Sequence, residues 1–113
     1  MTDSRRLLMA AFEAAVDAAR APCLIPYLNA LPEIRGQRRF LLVGKAAASQ
    51  AEVLESVIEQ PEGLCILPKG HTARTSLRVI EATHPTPDAG SIEAATAAMA
   101  LADQTKKVIS WCV

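Results

Sequence analysis

Two apolar runs of four residues, Phe40-Leu41-Leu42-Val43 and Leu64-Cys65-Ile66-Leu67, constrain this chain more than any other feature. Each is too short for a core helix, and each lacks the polar alternation of a half-solvated strand, so both predict short strands covered on both faces. Between them, Ala47, Ala51, Leu54 and Ile58 recur at helical spacing over Ala46 to Gln60, with Val57 beside them and Pro61 and Gly63 beyond the end. A strand, a helix and a second strand in that order predict a parallel pair, because parallel neighbours need a crossover between them.

The rest of the chain extends this unit. Leu8, Ala11, Phe12, Ala15, Val16 and Ala19 predict an amphipathic helix over Asp3 to Ala21, with Asp3 or Ser4 as cap and Pro22 past its end. Pro22, Pro26 and Pro32 make Pro22 to Gln37 a crossing loop with a turn or two of helix at Leu24 to Ala30. A polar loop from Pro68 to Ser76 leads to a third strand, Leu77 to Ala82, and then to a proline-stiffened loop from Thr83 to Asp88. An alanine-rich helix follows over Gly90 to Ala102, with Asp88 or Ser91 near its start, and Val108 to Val113 reads as a last strand. The predicted fold is α/β: a Rossmann-like, three-layer single domain over 1–113, with a mostly parallel sheet of about four strands flanked by helices.

At 113 residues, half of them apolar, a single core can bury roughly two-thirds of the unfolded surface without a disulfide or metal staple. Twelve Lys and Arg balance twelve Asp and Glu, so there is no basic field to bind nucleic acid or anionic lipid by counterion release. Four aromatic residues, Phe12, Tyr27, Phe40 and Trp111, are too few for a base-stacking surface. Neither a nucleic-acid nor a membrane partner is expected, and no apolar stretch approaches the ~20 residues of a membrane span. Cys23, Cys65 and Cys112 include no C-x-x-C pair and suit a reducing, cytoplasmic setting as inert thiols.

Three short segments could carry chemistry. Gly44-Lys45 stands where the first strand hands over to a helix, so the free N–H groups and positive dipole end of that helix face any anion above the sheet edge. Gly36 lies too far ahead of Gly44 for the P-loop spacing, and Ala46 stands where Ser or Thr is needed. A tight turn with a solvated lysine explains the pair equally well. His71 follows Gly70 in a loop that also holds Lys69 and Arg74, and surface solvation explains that cluster too. In His84-Pro85-Thr86-Pro87-Asp88 the prolines fix the presentation of His84 and Asp88, with a helix cap as the plain role for Asp88. Two histidines without carboxylates at ligand spacing predict no metal site.

Leu8-x-x-x-Phe12-x-x-Ala15-Val16, Leu41-Leu42-Val43-Gly44-Lys45-Ala46-Ala47, Gly70-His71 and Ile80-Glu81-Ala82-Thr83-His84-Pro85-Thr86-Pro87-Asp88, with Ser91 and Ala94-Ala95 behind them, resemble in order and spacing the amino-terminal part of glycerate 2-kinases of the MOFRL-associated type. Some members of that family carry the name hydroxypyruvate reductase. The resemblance covers roughly Leu7 to Ile109, and the HPxPD segment is its most specific piece. It implies transfer of the ATP γ-phosphoryl group to D-glycerate, with Mg²⁺, in a cleft between two α/β domains. It makes Lys45 the active-site lysine, and Gly44, Lys45, His71 and His84 the substrate-binding residues.

The chain departs from the family pattern twice. Leu42 and Val43 precede Gly44 where the family has Gly-Ala, which limits how closely the backbone can approach an anion. Where family members continue into a serine- and glycine-rich phosphate loop, this chain reads Ser110-Trp111-Cys112-Val113. The expectation is a truncated domain that keeps part of the acceptor site, binds neither ATP nor Mg²⁺ alone, and has no activity by itself. The alternative is a non-catalytic assembly module, a homo-oligomer closed through its terminal strand or an uncovered sheet face. A hydroxypyruvate reductase ranks last, because no G-x-G-x-x-G follows the first strand.

Overall fold

The computed structural model describes residues 2–105. They form α1 (Asp3–Ala19), a 3₁₀ turn (Ala21–Leu24), α2 (Ile25–Asn29), β1 (Arg39–Val43), α3 (Ala47–Val57), β2 (Glu62–Pro68), β3 (Arg78–Ala82) and α4 (Ala89–Asp103). The strands lie in the order β1-β2-β3, and both pairings are parallel. The α/β class and the parallel sheet are as the alternation of runs predicts. Among the described residues the sheet has three strands where about four were expected, and the fourth, Val108 to Val113, lies outside them.

β2 is central, and its alternate residues feed two cores. Cys65 and Leu67 pack with Ala47, Ala51 and Leu54 of α3 and with Leu77, and Phe40, Leu42 and Leu28 close around them. Leu64 and Ile66 face the other way, onto Ile80 and Ala94, with Ala97, Ala98 and Leu101 of α4 alongside. This continuous burial is why the run carries no polar residue: both faces are covered, so period-two alternation disappears. β1 is different. Phe40 and Leu42 meet the α3 side, whereas Leu41 is 45% exposed and Val43 62%. The expected two-faced burial is therefore corrected to one face, because α4 packs chiefly over β3 and β2, and only its C-cap Gln104 carbonyl meets β1, accepting from the Arg39 guanidinium at 3.3 Å.

Local chemistry sets most of the boundaries. The hydroxyl of Thr2 accepts the Arg5 N–H at 3.3 Å and caps α1, in place of the expected Asp3 or Ser4. Pro22 and Pro26 sit in the first turns of the 3₁₀ segment and α2, where a missing N–H costs nothing. α3 ends at Val57, short of the expected Gln60, because Ile58 is extended and its N–H closes on the Leu54 carbonyl at 2.8 Å. Asp88 and Ser91 form a reciprocal capping box on α4. Gly63 has φ +151° opposite Phe40, and a Cβ there would lie 1.8 Å from the Phe40 carbonyl oxygen, so no other residue fits between β1 and β2.

Candidate functional site at the carboxyl edge of the sheet

Because all three strands are parallel, the segments leaving β1, β2 and β3 emerge on the same edge. That edge carries Gly44 and Lys45, then Gly70 and His71, then His84. Adjacent parallel strands are about 4.8 Å apart, so the three exits span about 10 Å, the scale of one small ligand. Lys45, His71 and His84 are all exposed.

Gly44 extends the β1–β2 ladder by one bond, its N–H donating to the Ile66 carbonyl at 3.0 Å, and then leaves the sheet at φ +114°. No atom stands within 4 Å of where its Cβ would be, so glycine is required here for backbone conformation and the space above it is open. Lys45 occupies the turn that follows. The Ala47 N–H then bonds to the Gly44 carbonyl at 3.2 Å and the Gln50 N–H to the Ala46 carbonyl at 3.0 Å. Ala46 supplies no side-chain cap, which leaves the N–H groups of Ala48 and Ser49 without a protein acceptor among the described residues. A cation and two free donors therefore share the start of α3, an arrangement that suits a carboxylate or phosphate oxygen.

The second loop is tied to its neighbour. The Lys69 N–H donates to the Ala82 carbonyl at 2.9 Å, the Gly70 N–H to Glu81 Oε1 at 3.1 Å, and the His71 N–H to the Pro68 carbonyl at 3.0 Å. Glu81 thus orders the loop before His71. The sequence pattern does not reveal this, because the contact exists only once β3 lies beside β2. In the third loop the His84–Pro85 peptide is cis, and the Thr83 hydroxyl donates to the Thr86 carbonyl. Asp88 accepts the Ser91 N–H at 3.1 Å, and that bond foremost holds its carboxyl below the usual range, so its role is the helix cap. Gly90 lets α4 begin against β3, since a Cβ there would meet the Glu81 carbonyl oxygen at 2.8 Å.

A second anchoring carboxylate lies apart from this edge. Glu55 of α3 accepts the Thr75 hydroxyl at 2.8 Å, the Ser76 N–H at 2.6 Å and the Ser76 hydroxyl at 2.7 Å, fixing the lead into β3. The bonds from Ser76, then that from Thr75, hold its carboxyl below the ordinary value. Among the described residues the ion pairs are Arg20–Asp17 at 3.4 Å and Arg78–Glu93 at 3.9 Å, so none of them neutralises Lys45. A groove of about 170 Å³ lined by Gly63, Leu64, Arg78, Ala97 and Leu101 lies at the opposite, amino edge. Burial pushes the Cys65 thiol up, which keeps it protonated and inert. Among the described residues no three His, Cys, Asp or Glu side chains gather into a metal-binding group, and no helix is long and apolar enough to cross a membrane.

The profile of a family described as a domain of unknown function, DUF4147, matches residues 7–110. A protein named glycerate 2-kinase from Pyrococcus horikoshii is 30% identical over 76 residues, which cover 66% of this chain and 17% of that protein. The crystal structure of the PH0495 protein from Pyrococcus horikoshii OT3 superimposes with a TM-score of 0.70 at 26% identity, covering 93% of this chain and 27% of that one. The chain therefore spans well under a third of either relative.

Proposed function

The chain belongs to the DUF4147 family, and from that membership we propose that it is the amino-terminal part of a glycerate 2-kinase-type phosphotransferase, whose sheet edge holds the hydroxyacid acceptor. One observation carries the reading: the Gly44-Lys45 turn, the Gly70-His71 loop and the His84 loop leave adjacent parallel strands on one edge, in a chain similar to a protein named glycerate 2-kinase. In this reading Lys45 and the free N–H groups of Ala48 and Ser49 bind the carboxylate of D-glycerate, and His71 and His84 bound the space beside its hydroxyls. Lys45 serves in addition as the catalytic cation that offsets phosphoryl charge. ATP is the phosphoryl donor and Mg²⁺ the accompanying ion in this scheme, and neither is expected to bind this chain alone. The described residues offer no acid cluster for the ion, so no step of the transfer is assigned to one.

Phosphoryl transfer needs several elements to position both reactants, and the 76 residues that align cover 17% of the kinase the chain resembles. The chain by itself is therefore expected to bind acceptor without turnover, and free thiols at Cys23 and Cys65 suit a cytoplasmic setting. A coupled assay of the purified chain with D-glycerate and Mg-ATP tests this. Background rates support a half-site, whereas turnover abolished by Lys45→Ala contradicts it. A second reading, non-catalytic assembly, has one observation in its favour: the partly exposed face of β1 among the described residues, where Leu41 and Val43 are open to solvent. Light scattering of a strict monomer at high concentration counts against it.

A further inference from the structure

The segment between β2 and β3 is held at its two ends by carboxylates. Along its middle, the N–H groups of Thr72, Ala73, Arg74 and Thr75 form no bond to a backbone carbonyl among the described residues. At the far end Glu55 gathers Thr75 and Ser76. At the near end the His71 N–H closes a four-residue turn on the Pro68 carbonyl at 3.0 Å, with Gly70 at φ +88° as its third residue. The turn's own bond does not use the Gly70 N–H, and Glu81 Oε1 accepts it at 3.1 Å. The bond from the Lys69 N–H to the Ala82 carbonyl is backbone alone, so among the described residues Glu81 is the side chain through which β3 fixes this turn.

The charge of Glu81 makes its placement informative. It follows Ile80, whose side chain enters the α4 core, so strand alternation sends Glu81 to the face on which Lys45 leads into α3. An acid at this edge repels a carboxylate ligand and opposes the cation that attracts it. Neither ion pair of the described residues includes Glu81, so it is not occupied in neutralising Lys45, Lys69 or Arg74. Its charge works against an anion here, and its benefit lies in the backbone it holds.

We propose that Glu81 is a positioning residue of the acceptor edge, a role that rests on the hydroxyacid reading of that edge: by fixing the Gly70 N–H it sets where His71, the next residue, stands against the bound hydroxyacid. It acts through His71 and not by touching the acceptor. What it must supply is an acceptor oxygen rather than a charge. Gln keeps Oε1 and removes the charge, whereas Ala removes both, so the two variants separate holding the turn from electrostatics.

The test is a titration of the whole chain and its variants with D-glycerate, followed by amide NMR, with hydrogen exchange of the Gly70 amide read on the same samples. We expect Glu81→Ala to weaken D-glycerate about fivefold and to speed Gly70 exchange about tenfold, and Glu81→Gln to stay within about twofold of the unaltered chain on both. In a His71→Ala background, Glu81→Ala should change affinity by less than about 1.5-fold, because the residue it positions is gone. Glu81 is exposed and outside both cores, so the variants keep the sheet, and an unchanged urea midpoint verifies this. Tighter binding by both the Ala and the Gln variant leaves only charge repulsion and overturns the proposal. So does weaker binding by both, a Gly70 exchange rate indifferent to Glu81→Ala, or an equal fivefold loss with and without His71. An unaltered chain that fails to bind D-glycerate overturns the acceptor reading itself and this role with it, an outcome seen before any variant is made.

Discussion

Gly63 and Glu55 are the single residues on which the sheet most depends, for opposite reasons. Gly63 is defined by what it lacks: any Cβ falls 1.8 Å from the Phe40 carbonyl oxygen, and the left-handed φ adds strain. Gly63→Ala is expected to lower stability by about 2–4 kcal/mol and to loosen β1, read as a fall in urea midpoint. Glu55 is defined by what it gathers. Because the donors from Ser76 and Thr75 lower its folded pKa, its contribution is complete above the ordinary value of 4.5 and is lost as pH falls through the folded one. Stability should therefore decline below about pH 5, and Glu55→Gln should flatten that decline while costing about 1–2 kcal/mol at neutral pH, as urea melts across the range would record. Neither role is legible in sequence. Gly63 reads there as a helix stop, and the partners of Glu55 stand 20 and 21 residues away.

At the scale of elements, the helices and strands fall close to their expected places because periodicity and caps are local properties. α4 was expected over Gly90 to Ala102 and runs Ala89–Asp103; β3 was expected from Leu77 and starts at Arg78. The Asp88 cap was legible for the same reason, and Asp88→Ala should lower the urea midpoint, with α4 fraying first by hydrogen exchange. The face of β1 was not legible. A run of apolar residues states that burial is available, whereas which strand a helix covers depends on its placement over the sheet, and α4 packs chiefly on β3 and β2. The open stripe of α1 is a similar case: its amphipathic pattern is clear, but the pattern does not name what covers it.

For the whole molecule, alternating strands and helices made a parallel sheet legible, and a parallel sheet sends its strand exits to one edge. Strand order settled that Gly44, His71 and His84 leave neighbouring strands, which no spacing in the sequence determines. The bond from the Gly70 N–H to Glu81 and that from the Lys69 N–H to the Ala82 carbonyl then tie the second loop to β3. If this edge is the acceptor half-site, Lys45→Ala should weaken D-glycerate binding by about tenfold or more while leaving the urea midpoint unchanged, since Lys45 is exposed and outside both cores. The most direct measurement is a titration of the chain with D-glycerate followed by backbone amide NMR. The account predicts concerted shifts at Gly44, Lys45, Ala48, His71 and His84, with no matching response to Mg-ATP. Unperturbed amides at all five under saturating D-glycerate would contradict it.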